Sequence, residues 1–282
     1  MLGHKLCQIL DDEFEVWTTI RPAFNEVSGF GIFHEARTIS NIDVESISDI
    51  ESAIFLVRPD VVINAAGIIK QLPSSKDVIT TLSINSILPH RLRELSLKYG
   101  FRLVCVSTDC VFSGERGNYS EDDRADAYDL YGRSKNFGEV IADNCLTIRT
   151  SIIGREIKSA HSMVEWFLSN RGNKVNGYAN AIYSGFPTIV FADIIAELLT
   201  QHSSLHGLYH ISSEPINKFD LLQLINKYYE AKIEIERFED FSIDRSLDST
   251  RFREAVKFTP MPWEKMIERM ASDPTPYERW RK

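Results

Sequence analysis

Along the first half of the chain, short β-rich runs alternate with amphipathic stretches. Directly after Gly3, "HKLCQILDD" repeats Leu6, Ile9 and Leu10 at helical spacing, which predicts a helix entered at a glycine. Then come "FEVWTTIR", "SISDIESAIFLVRP", "DVVINAAG", "VITTLSINSILPHRLRELSLKYG" and "FRLVCVSTD", a β/α alternation. That order predicts an α/β fold, a doubly wound parallel sheet with helices on both faces. In "DVVINAAG" and "FRLVCVSTD" the apolar residues run almost unbroken before turning small and polar, the pattern of central strands covered on both sides. Their C-terminal ends, Asn64 to Gly67 and Ser107 to Asp109, fall where open α/β sheets bind ligands.

Beyond residue 150 the elements shorten: "SMVEWFLSN", "TIVFADIIAELLTQH", "GLYHISS", "DLLQLINKYYE" and "KIEIERF". Two units are expected, residues 1–150 and a smaller mixed lobe, residues 151–282, interleaved with the last sheet elements. The longest polar connection, "SGERGNYSEDDRADAYD", is long enough to border a binding site, although a solvated acidic loop accounts for most of its composition.

With 282 residues, 43% of them hydrophobic, the chain can bury a full core. Its 40 acidic against 32 basic side chains give a net charge of -8, which repels phosphate backbones and anionic lipid, so neither nucleic acid nor a membrane is an expected partner. No apolar stretch approaches the roughly 20 residues that cross a bilayer and no signal-peptide pattern opens the chain, so a cytoplasmic protein is expected. The cysteines, Cys7, Cys105, Cys110 and Cys145, show neither CxxC pairing nor zinc-ligand spacing, and no metal site is expected.

"YDLYGRSKNFGEV" carries the most chemistry. Tyr131 and Lys135 lie four apart on a predicted helix, which puts phenol and ammonium on one face with β-carbons about 5–6 Å apart. A cation there favours the phenolate and lowers the phenol pKa from about 10, making the tyrosine a usable proton donor and acceptor. The spacing alone is equally that of an exposed tyrosine and lysine on a solvated helix. Upstream, "VCVSTDCVFSG" ends a buried strand in Ser107, Thr108 and Asp109, where a hydroxyl can bond a carbonyl oxygen while Tyr131 protonates it.

"STDCVFSG", "YSEDD", "YGRSKNFGE" and "TIRTSIIG", with "PDVVINAAG", "NAIYSGFPT" and "DRSLDSTRF", resemble the extended short-chain dehydrogenase/reductase family, in particular its dTDP-4-dehydrorhamnose reductase branch. The resemblance runs over nearly the whole chain and implies a Rossmann-like fold, with a dinucleotide-binding part in 1–150 and a substrate lobe in 151–282. It implies a cytoplasmic oxidoreductase that reduces the C4 ketone of a nucleotide-linked 4-keto-6-deoxy sugar for polysaccharide biosynthesis, with room for a homodimer. The catalytic residues it implies are Thr108, Tyr131 and Lys135, the lysine also meeting the nicotinamide ribose.

By the same resemblance the cofactor meets Gly3 and the small-residue turn Ala65, Ala66 and Gly67, where side chains without bulk let a dinucleotide lie against the backbone. Asp43 and Val44 of "NIDV" fall beside the adenine, Asn85 on the central helix, and Thr150 of "IRTS" on the nicotinamide side. NAD sites offer a carboxylate to the ribose 2′-hydroxyl and NADP sites an arginine to the 2′-phosphate. Arg21 stands at that position, so NADPH is the expected cofactor and NADH the alternative. The substrate side is expected to hold Thr108, Asp109, Cys110 and Ile152. Cys110 and Ile152 replace a tyrosine and a tryptophan usual in the family, which reshapes the sugar pocket.

In the family a first strand and a GxxGxxG turn precede the first helix. Gly3 matches the last of those glycines, so the strand and two glycines are missing from this chain, and unpaired edges are expected on two neighbouring strands. Two explanations follow: a working protein about ten residues longer at its N-terminus, or a shortened, non-catalytic chain. The second has a precedent in the regulatory β subunit of methionine adenosyltransferase, which resembles the same branch. A dehydratase would carry a Glu after the Asp of "TDC", which this chain lacks.

Overall fold

The computed structural model describes residues 1–280. Four parallel strands form the main sheet, β3 (Val61–Asn64), β4 (Arg102–Thr108), β5 (Cys145–Thr150) and β9 (Gly207–His210), in that spatial order. Strand side chains alternate between faces, and the two cores follow that alternation. Val104, Leu146 and Ile148 pack into one core with Leu2, Leu6 and Leu10 of α1 (Leu2–Leu10) and with α7 (Thr188–Thr200). Leu103, Cys105 and Cys145 join the other, with Ile50 and Ile54 of α2 (Ile47–Val57) and Leu88, Leu92 and Leu95 of α4 (Leu88–Tyr99). Helices thus cover both faces, as the alternating pattern predicts.

β3 departs from expectation. It is the outer strand of the main sheet, and Val61, Val62 and Ile63 are only half-buried, so its near-continuous apolar run does not mark a central strand here. Of "FEVWTTIR" only β1 (Thr18–Thr19) is a strand, paired in parallel with β2 (Thr38–Ile39) in a separate two-stranded sheet. Among the described residues β1 pairs with β2 alone and β3 with β4 alone, so both keep an open edge.

The elements after residue 150 build small sheets on the same body. β6 (Ile152–Ile153) pairs with β8 (Phe186–Pro187), and β7 (Lys174–Tyr183) lies between β10 (Ile216–Asn217) and β11 (Glu234–Asp244). Helices α6 (Met163–Ser169) and α8 (Lys218–Tyr228) belong to this part, while β9 pairs with β5 in the main sheet. The loop "SGERGNYSEDDRADAYD" is less solvated than its composition suggests. Tyr119 is buried, stacks on Phe112, and receives Gly114 and Arg116 N–H groups on its hydroxyl, while its own N–H bonds Ser246. The loop therefore delivers the chain, already folded, to the helix that follows it.

Candidate active site

β4 and β5 end side by side, Ser107 opposite Arg149 and Thr108 opposite Thr150. All four are buried, and alternation sends the two pairs to opposite faces. Thr108 also caps the short turn Asp109–Val111: its Oγ1 accepts the Cys110 N–H at 3.1 Å and donates to Asp109 Oδ1 at 3.0 Å. Ser107 turns away and donates to Glu139 Oε1 at 2.7 Å. Of the two adjacent hydroxyls, Thr108 is the one that meets Tyr131.

Tyr131 rides on α5 (Leu130–Phe137), whose N-terminus is capped by Asp129, with Oδ1 accepting the Gly132 N–H at 2.8 Å. Gly132 brings helix and strand end together. A β-carbon there would sit 2.2 Å from the Cys110 carbonyl oxygen, so only glycine permits the approach. Gly138, at the helix's other end, has the same relation to the Asn85 carbonyl, at 2.0 Å.

The electrostatics differ from the expectation of a lysine-lowered phenol. Lys135 Nζ donates inward to the Val106 carbonyl at 2.7 Å, and burial raises the Tyr131 pKa, with a Thr108 hydrogen bond opposing it only in part. The phenol is thereby held protonated. Burial also lowers the Lys135 pKa, against the neighbouring Cys105 thiol and Glu139 carboxylate. Helical spacing places two side chains on one face, but the depth of the helix in the fold sets their charge.

On the other side of α5 stands the turn after β3. Ala65 and Gly67 are exposed and Ala66 packs under the α2/α4 core. Asn85 pins this turn: its Oδ1 accepts the Ile68 N–H at 2.9 Å, and its Nδ2 donates to Ile68 O at 3.0 Å and Ser134 Oγ at 3.1 Å. Asn85 is the middle residue of a π-helical segment, Ser83–Ile87, and buried, so its amide ties the turn to the helix carrying Tyr131 and Lys135. The remaining cofactor candidates lie farther out. Gly3 is exposed in the first turn of α1, Arg21 is exposed just past β1, and Asp43 is exposed with its carboxylate on the Glu45 N–H at 3.0 Å. Val44 packs against the same core as Ala66. An Ile42 N–H to Ile20 carbonyl bond of 3.0 Å keeps Arg21 and Asp43 at one end of the β1–β2 pair. An exposed, small-residue turn at the C-terminal edge of the sheet, tied by Asn85 to the helix that carries Tyr131, fits a dinucleotide lying against the backbone.

On the substrate side, burial raises the Asp109 pKa, with hydrogen bonds from Thr108, Cys110 and Ser151 pulling the other way. Cys110 is half-buried, its thiol pushed up to about 12 by burial. Ile152, half-buried, starts β6 and pairs with Phe186. The fold adds residues that the sequence did not mark. Buried Tyr183 faces Asp109 and Ser151 with its hydroxyl. Lys218 opens α8 facing Asp109 and Cys110, and Arg245, whose Nε donates to Phe112 O at 2.8 Å, acts on the same two groups. Arg245 lay within "DRSLDSTRF", but no local pattern distinguishes it; Lys218 had no signal at all.

A dTDP-4-dehydrorhamnose reductase of Aggregatibacter actinomycetemcomitans is 26% identical over 189 residues, 64% of this chain and 64% of that protein. Methionine adenosyltransferase 2 subunit beta of Xenopus laevis is 25% identical over 225 residues, 75% of this chain and 63% of that one. The aligned stretches thus span somewhat under two thirds of these relatives. A crystal structure of dTDP-4-dehydrorhamnose reductase from Bacillus anthracis str. Ames in complex with NADP superposes with a TM-score of 0.72 at 22% identity, covering 91% of this chain and 98% of that one. With the RmlD substrate binding domain model matching residues 1–275, the chain belongs to that family.

Proposed function

We propose that this chain is an NADPH-dependent reductase of the C4 ketone of a nucleotide-linked 4-keto-6-deoxy sugar, serving polysaccharide synthesis. In this reading residues 1–150 hold the dinucleotide and residues 151–282 supply the sugar side. The observation that carries it is Thr108 beside Tyr131, with Lys135 on the same helix and the exposed turn Ala65–Gly67 tied to that helix through Asn85, in a chain of this family.

The cofactor supplies a hydride to the carbonyl carbon. Thr108 Oγ1, turning its hydrogen from Asp109 Oδ1 to the ketone, donates to the carbonyl oxygen, and Tyr131 delivers its proton there, so that with the hydride the C=O π bond gives way to C–H and O–H bonds while the C–O single bond stays. A phenol held protonated by burial suits the donor role in reduction. In this reading Lys135, on the same helix, turns from the Val106 carbonyl to stabilise the negative charge that develops on the Tyr131 oxygen. Arg21 is the group offered to a 2′-phosphate, while Gly3, Asp43, Val44, Asn85 and Thr150 line or support the rest of the cofactor's path. Asp109, Cys110 and Ile152 face the sugar.

A second reading, a non-catalytic NADP-binding regulatory subunit, draws support from the likeness to the methionine adenosyltransferase β subunit. Titration with NADPH followed by nucleotide fluorescence, then NADPH oxidation with 4-keto nucleotide sugars, separates the two. Saturable binding with turnover that Tyr131→Phe lowers by about 10²–10⁴-fold, binding intact, is the expected result. Binding without turnover favours the regulatory reading, and equal turnover in wild type and Tyr131→Phe rules out the assigned proton donor.

A further inference from the structure

A buried ion pair lies directly behind the candidate site. Glu139 Oε1 accepts from Ser107 Oγ at 2.7 Å and from Arg149 Nε at 2.8 Å, and its Oε2 accepts from Arg149 Nη2 at 2.8 Å. Both side chains are 5% exposed. The guanidinium lies over the Phe112 ring at 5.1 Å and reaches His210 Nε2 at 3.2 Å, while His210 Nδ1 meets the Tyr119 carbonyl at 2.9 Å.

Each member neighbours a residue of the proposed reaction. Ser107 precedes Thr108, Arg149 precedes Thr150, and Glu139 stands four residues after Lys135, just past the end of α5. Because Ser107–Arg149 and Thr108–Thr150 are successive register pairs, whatever fixes the first pair on one face fixes the second on the other. A bidentate arginine–carboxylate pair constrains both distance and plane, which a hydrophobic contact does not.

Resting on the reductase reading above, we propose that Glu139 and Arg149 are the positioning residues of the reaction. Their ion pair, with the Ser107–Glu139 hydrogen bond, holds the β5 end carrying Thr150, the β4 end carrying Thr108 and the C-terminal end of the helix carrying Lys135 in one arrangement, and Glu139 supports the lysine's positive charge. The groups facing the Lys135 ammonium are the Cys105 thiol from β4 and the Glu139 carboxylate beyond α5, and both hold its pKa up against burial.

A fold-only role and a positioning role separate experimentally. Removing one partner strands the other charge in the interior, whereas replacing both removes that penalty. Glu139→Gln and the double variant Glu139→Gln/Arg149→Met are compared with wild type by thermal melting, steady-state ketone reduction and NMR titration of ε-¹³C-labelled lysine, with Lys135 assigned through Lys135→Met. Expected are a Lys135 titration moved to lower pH in Glu139→Gln and a kcat about 100-fold down with KM near wild type. The double variant regains the wild-type Tm but neither kcat nor the lysine titration. A double variant that regains kcat together with Tm, or a Lys135 that titrates alike in wild type and Glu139→Gln, overturns the proposal. Should Glu139→Gln alone fail to fold, the double variant carries both readouts. A wild type that reduces no ketone defeats the reductase reading, and the lysine titration then decides the positioning role alone.

Discussion

The two ends of the proposed cofactor path are built differently. At the reacting end, Thr108 and Thr150 are buried strand residues, and Tyr131 sits on a helix that packs close enough to exclude any side chain at position 132. At the adenosine end, Arg21 and Asp43 are exposed on turns around a two-residue strand pair, and between residues 11 and 45 only Val27 and Ile32 are buried. The first region has its geometry imposed by close packing and buried hydrogen bonds. The second has few such restraints, so chemistry there depends on individual side chains rather than on a rigid frame. The contrast matches the proposed reaction: proton and hydride transfer tolerate errors well below 1 Å, while grip on a ribose phosphate rests on charge.

The contrast breaks most severely at Gly132. Gly132→Ala sets a methyl 2.2 Å from the Cys110 carbonyl oxygen, so α5 must move off the Asp109–Val111 turn that follows β4. A loss of about 3 kcal/mol in urea unfolding is expected, with turnover lost alongside; wild-type stability in this variant would show that the close approach is dispensable.

Acid sharpens the same contrast, because it reaches the buried frame through His210. Burial, reinforced by Arg149, lowers the His210 pKa from 6.5 to about 4. Between those values the unfolded chain takes up a proton that the native state refuses, so stability is full above pH 6.5 and falls as pH drops toward 4. The slope amounts to about 3 kcal/mol. Urea midpoints at pH 7.5 and 4.5 should lie closer together in His210→Asn than in wild type; equal gaps would remove His210 from the account.

The smallest effect belongs to the exposed end. Arg21→Gln should weaken NADPH by about tenfold, the worth of one exposed charged hydrogen bond, leaving NADH affinity and Tm unchanged. Equal loss for both cofactors would place the 2′-phosphate contact elsewhere.

Much of the fold was legible because its signals are local. Helical spacing marked α1 and the helix of Tyr131 and Lys135, and unbroken apolar runs marked β4. What misled was exposure: "DVVINAAG" has the composition of a central strand, yet among the described residues β3 has a partner on one edge only and its valines stay half-exposed. The polar loop 113–129 misled the other way, since Tyr119 and Phe112 carry it into the interior.

By itself the sequence determined the α/β alternation, the placing of Tyr131 and Lys135 on one helix and the hydroxyl-bearing strand end, because each is set by spacing within a few residues. The resemblance already implied Thr108 over Ser107; only the tertiary structure showed Ser107 turned to Glu139 and the Tyr131 phenol held protonated by burial. It also decided that Glu139 and Arg149 close the site from behind, and that Lys218 and Arg245 face Asp109. Those facts depend on strand register, on burial depth and on partners 10 to more than 100 residues apart, from Glu139 with Arg149 to Arg245 with Phe112. No local periodicity encodes them.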